Sequence, residues 1–89
     1  MIRIEICNYF NDQPINSSDY IYYDYYLLKL DNNHNIPEEL NSLNLKNEGS
    51  IVNNRGSTYF MFFDKDILLK IKLIVGKIEL LDLRHGKFQ

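Results

Sequence analysis

Ile67-Leu68-Leu69-Lys70-Ile71-Lys72-Leu73-Ile74-Val75 is the stretch on which the fold turns. Its odd positions are all apolar, while Lys70 and Lys72 fall at even positions. That is the period-2 pattern of a strand with one wetter face. Ile67, Leu68, Ile71, Ile74 and Val75 also sit close to helical spacing, so periodicity alone does not decide. The β-branched content and the break at Gly76 favour a strand. Gly76-Lys77 then reads as a two-residue hairpin loop with glycine first, leading into a partner strand from Ile78 to Arg84.

Working backwards, Asp64-Lys65-Asp66 turns the chain out of Thr58-Tyr59-Phe60-Met61-Phe62-Phe63, a strand apolar on both faces. Asn53-Asn54-Arg55-Gly56 is rich in residues that accept positive φ and forms a turn, with a short strand before it at positions 50–53. Together these segments make a C-terminal β-meander. Asn35-Ile36-Pro37-Glu38-Glu39-Leu40 reads as a helix start, because proline is tolerated in the first turn and two carboxylates suit the positive end of the dipole. Leu40 and Leu43 can face the core before Asn44 to Gly49 closes this short helix.

Two strands precede it. Ile2, Ile4 and Ile6 alternate with Arg3, Glu5 and Cys7, and this first strand ends by Asn11-Asp12-Gln13-Pro14. Tyr20-Ile21-Tyr22-Tyr23-Asp24-Tyr25-Tyr26-Leu27-Leu28-Lys29-Leu30 is the second. Ile21, Tyr23, Tyr25 and Leu27 form one apolar face, and Tyr20, Tyr22, Asp24 and Tyr26 a second, amphipathic one. A helix from a Ser18 or Asp19 cap is the competing reading. The expected architecture is a single α+β domain over residues 1–89, with a small antiparallel sheet of four to six strands and one short α-helix.

Composition narrows the function classes. The chain has 89 residues, 45% hydrophobic and 13% aromatic, which excludes intrinsic disorder and supports one dense core. A lone cysteine, Cys7, forms no internal disulfide. The start, Met1-Ile2-Arg3-Ile4-Glu5, lacks a signal-peptide pattern, and no apolar run approaches the roughly 20 residues of a membrane span. A cytoplasmic protein is expected. Net charge is −2, but the first 45 residues are acidic and the remainder basic, a polarity that suits steering toward a charged partner unless interleaved strands cancel it.

Motifs for chemistry are weak. Asp31, Asn33 and Asn35 mimic the start of a calcium loop, but Ile36 stands where glycine is required and Ser42 where a bidentate glutamate belongs. His34 with Glu38 and Glu39 falls short of a metal ligand set, so no metal or cofactor is expected. His34 and His85 could act as an acid–base pair in a small nuclease-like enzyme, with Arg55 or Lys87 on the phosphate. Both histidines lie in expected loop or tail, and the expectation is that the protein is not an enzyme. Asn53 to Thr58 could offer amides to a phosphate, but a plain hairpin turn explains it better. Lys70, Lys72, Lys77, Arg84 and Lys87 could form a nucleic-acid face, against interleaved acids at Asp64, Asp66, Glu79 and Asp82.

The tyrosines are the best lead. Five in seven residues exceed what a core needs, because each buried hydroxyl demands a partner, and tyrosine is enriched in binding hot spots. Tyr20, Tyr22, Tyr23, Asp24, Tyr25 and Tyr26 are therefore the candidate partner-binding residues. The expected function is a protein-binding module that inhibits another protein, an enzyme or effector, by steric occupation. Immunity proteins, antitoxins and phage anti-defence proteins share this physical type, an association of size and chemistry with no motif behind it. Exposed strand edges make a homodimer a further expectation.

Overall fold

The computed structural model describes residues 1–10 and 22–84. The loop expected around Pro14, Tyr20, and the tail with His85 and Lys87 lie outside the described residues.

Among the described residues five strands form one sheet: β1 (Ile2–Phe10), β2 (Tyr22–Lys29), β3 (Gly49–Asn54), β4 (Ser57–Phe62) and β5 (Ile78–Asp82). Their order is β3-β4-β2-β1-β5. One α-helix among the described residues, α1 (Lys65–Val75), joins β4 to β5. The α+β architecture and strand number expected from the sequence hold.

The C-terminal meander does not hold, and the reason lies in the stretch 67–75. This segment is helical, not a strand. Its apolar positions fit both periods, so the punctuation decides. Asp64 is an N-cap whose carboxylate accepts from the Asp66 N–H at 2.8 Å, and Gly76, at φ 75°, donates its N–H to the Lys72 carbonyl at 2.9 Å. Both helix ends are thus satisfied within the segment. Ile67, Leu68 and Ile71 make the buried stripe. Gly76 ends a helix and does not begin a hairpin. The chain therefore crosses the sheet, and β5 lies parallel to β1, with Ile2 opposite Ile78 and Ile4 opposite Leu80. The sheet is mixed rather than wholly antiparallel.

The helix expected near Pro37 is also corrected. Glu38–Leu43 is a 3-10 turn, stopped by Asn44 in the left-handed region at φ 51°. Leu40 is nevertheless buried, and Leu43 packs against the core. The Asn-Gly-rich turn is present: Arg55 and Gly56, at φ 53° and 80°, close the β3–β4 hairpin. Gly49 starts β3 because any Cβ there would strike the Met61 carbonyl.

The core occupies one face of the sheet. Ile2 and Ile4 of β1, Tyr26 and Leu28 of β2, and Phe60 and Phe62 of β4 meet Ile67, Leu68 and Ile71 of α1. Leu40 and Leu45 close one end.

Candidate protein-binding surface

The strand registers define what lies on the other face. Glu5 pairs with Leu27, Cys7 with Tyr25, Leu27 with Met61, and Val52 with Tyr59. Side chains alternate along each strand, so these residues turn away from α1. No described helix packs against them.

One part of this face is polar and closed. Glu5 is only 2% exposed, and a buried carboxylate persists only when partnered. Its Oε1 accepts from the Arg55 guanidinium, and its Oε2 accepts from the Tyr59 hydroxyl at 3.2 Å. The Arg3 guanidinium stands 3.9 Å from Oε2 and 3.6 Å from Glu79. Arg55 reaches Glu5 from the hairpin turn, across β4 and β2. Hydrogen bonding and charge from Glu5 raise the Arg55 guanidinium further above its already high value. Through these contacts Glu5 ties β1 to β4 and to the β3–β4 turn.

Cys7 and Tyr25 sit beside it, sharing a side-chain hydrogen bond. Burial first, and the Glu5 charge second, push the Cys7 thiol up. Burial and the thiol likewise push up the Tyr25 phenol. A thiol held protonated is a poor nucleophile.

The adjoining part of the face is apolar and open. Tyr25 and Phe63 stand with ring centroids 6.3 Å apart at 54°. They border a groove of about 480 Å³ lined also by Leu27, Val52, Asn53, Asn54 and Met61. Phe63, just past the end of β4, is 59% exposed. Aromatic and methionine side chains, here Tyr25, Phe63 and Met61, are enriched in protein interfaces.

Comparison of the chain with family models, curated proteins and solved structures finds no match. The surface has to be read from its own chemistry.

The tyrosine segment divides between the two faces. Tyr25 borders the groove, whereas Tyr26 is buried in the core and packs on Phe62 at 5.2 Å. The expectation that Tyr26 meets a partner is therefore corrected: its position under α1 uses it for packing. Burial raises its phenol as well. Asp24 is exposed and pairs with Arg84 at 3.2 Å. Tyr22 and Tyr23 lie in β2 with their Cα atoms opposite Phe10 and Tyr9.

The basic residues are dispersed. Lys70, Lys72 and Lys77 are exposed on or just after α1. Arg84 is bound by Asp82 through two nitrogens, at 2.7 and 2.9 Å, as well as by Asp24, and these carboxylates raise its affinity for its proton. Those carboxylates offset the charge that a phosphate would need.

His34 is exposed at φ 62° and borders a separate cleft with Glu38, Lys46 and Ile51. Among the described residues no group of three or more His, Cys, Asp or Glu side chains could hold a metal. Asp31 braces its own loop, accepting from the N–H groups of Asn33 and Asn35 at 2.9 and 3.0 Å. The 53–58 turn is likewise tied internally, Thr58 Oγ1 bonding Asn53 Oδ1 at 3.0 Å.

Sequence reading missed Glu5, Arg55 and Tyr59 as a unit, and Phe63 and Met61 as groove residues. One signal was available. The strand 58–63 is apolar on both faces, which a sheet with a solvated second face does not require.

Proposed function

We propose that this protein works by occupying another protein, an enzyme or effector, as an inhibitor of the immunity, antitoxin or phage anti-defence type. The groove between Tyr25 and Phe63 is the centre of the contact. The exposed Phe63 ring beside Tyr25 carries the reading, because together they flank a preformed apolar slot on a face that no described helix covers. Tyrosine and phenylalanine add contact area at low entropic cost. Glu5 and Arg55 hold the neighbouring strands rigid, so little ordering is required on binding.

The test is capture of a partner by tagged protein from a lysate of its source or host, with and without nuclease, repeated with Tyr25→Ala and Phe63→Ala. The expected result is one stoichiometric protein that survives nuclease and is lost with either variant, both variants still unfolding cooperatively. Capture undiminished by both variants would remove the groove from the contact. Capture that collapses on nuclease treatment would replace this reading with nucleic-acid binding through Lys70, Lys72 and Lys77.

A further inference from the structure

β3 is an outer strand of the sheet, and among the described residues its only strand neighbour is β4. The hairpin fixes which of its backbone groups are used. In a two-residue hairpin the residues flanking the turn, here Asn54 and Ser57, exchange both backbone hydrogen bonds, and bonded pairs alternate from there. Val52 and Ser50 therefore bond to β4. Gly49, Ile51 and Asn53 direct their N–H and C=O groups away from the sheet. The far side of β4 obeys the same alternation: the Thr58 carbonyl, opposite Asn53, accepts from the Leu30 N–H at 3.0 Å.

This outward set is symmetric about Ile51. β3 also lacks the devices that normally guard an edge, since Gly49-Ser50-Ile51-Val52-Asn53-Asn54 contains no charge and no proline. The opposite edge is guarded: β5 carries Glu79, paired with Arg3, and Asp82, paired with Arg84. At the centre of the bare edge Ile51 is 57% exposed.

We propose that β3 pairs antiparallel with β3 of a second copy of this chain, about a two-fold axis at Ile51, doubling the five-stranded sheet. Ile51 then exchanges both hydrogen bonds with its own copy, and Gly49 exchanges both with Asn53 of the other chain. Every outward group of 49, 51 and 53 finds a partner. The two Ile51 side chains cover each other on the α1 side of the sheet. A contact of one strand per chain is small, so the expected dimer is a weak, concentration-dependent one.

This pairing is independent of the groove reading, and sedimentation equilibrium of the full chain, from micromolar to hundreds of micromolar, tests it. The expected result is a monomer–dimer equilibrium that Ile51→Lys and Asn53→Pro each weaken by roughly tenfold or more. The first places like charges at the axis. The second removes an outward N–H and leaves the ladder to β4 intact. Circular dichroism confirms that both variants remain folded, and Glu79→Gln and Phe63→Ala should leave the equilibrium unchanged. A monomer at every concentration would overturn the proposal. So would a dimer that both edge variants leave equally tight, which would move the contact to another surface, such as the exposed Leu73 of α1.

Discussion

The two faces of this sheet are both largely shielded from water at their centres, by opposite means. Under α1, Ile4, Leu28, Phe60 and Phe62 are excluded from solvent by close packing alone. On the reverse, Leu27 and Tyr59 are as deeply buried, yet the element that binds them together is a carboxylate held by guanidinium and phenol. The first face gains stability from apolar area and dispersion. The second gains position: a buried ion pair adds little net free energy but penalises any arrangement that separates its members. The packed face holds the domain together, while the charged face fixes where its strands and Tyr25 stand.

Substitutions on the two faces should differ in size. Phe62→Ala, on the packed face, should cost about 3–5 kcal/mol in urea unfolding, the range for removing a large ring from a core. A loss comparable to that of a surface substitution would mean that α1 does not seat firmly. Glu5→Ala, on the charged face, should cost less, about 1–3 kcal/mol, because the stranded partners Arg55 and Arg3 are half-exposed and water can take the place of the carboxylate. It should also speed alkylation of Cys7 at a given pH, since the Glu5 charge opposes thiolate formation. Slower or unchanged alkylation would place the Glu5 charge too far from Cys7 to matter.

The smallest effect should come from pH. Cys7 and Tyr25 both hold their protons more tightly in the folded chain than in the unfolded one. Their contribution to stability is therefore complete below the ordinary thiol value of 9.0 and is lost as pH rises through the folded values. Urea midpoints should be flat across neutral pH and fall in the alkaline range. A midpoint that rises there would reverse the assignment of burial as the dominant cause.

The sequence made much of the packed face legible, because it follows from period alone. Ile2, Ile4 and Ile6 alternate, Leu40 sits after a proline-started turn, and Asn-Asn-Arg-Gly closes a hairpin. Reading failed where two periods share the same apolar residues. Between 67 and 75, Asp64 and Gly76 carried the decisive information as caps, and reading that glycine as the first residue of a hairpin turned a crossover into a meander. The tyrosine strand was legible as a strand, but which of its faces lies under a helix depends on where α1 goes, so of two residues read alike Tyr26 is buried in the core and Tyr25 borders the groove. Glu5 and Arg55 were invisible as a pair because 50 positions separate them, and an odd-numbered glutamate in an alternating strand looks solvated until the sheet order is known.

The parallel pairing of β1 with β5 also bears on the expected order of assembly. The β3–β4 hairpin is closed by a two-residue turn and is the kind of unit that forms within about 1–10 μs. Strand β1 gains its second neighbour only when nearly the whole chain has folded back, with Ile2 meeting Ile78. Pairings so distant in sequence are entropically late and slow the folding of small domains. Until α1 swings across and delivers β5, one flank of β1 offers unpaired amides to any other chain. The β1–β5 contact thus replaces the open flank of β1 with the charge-guarded edge of β5.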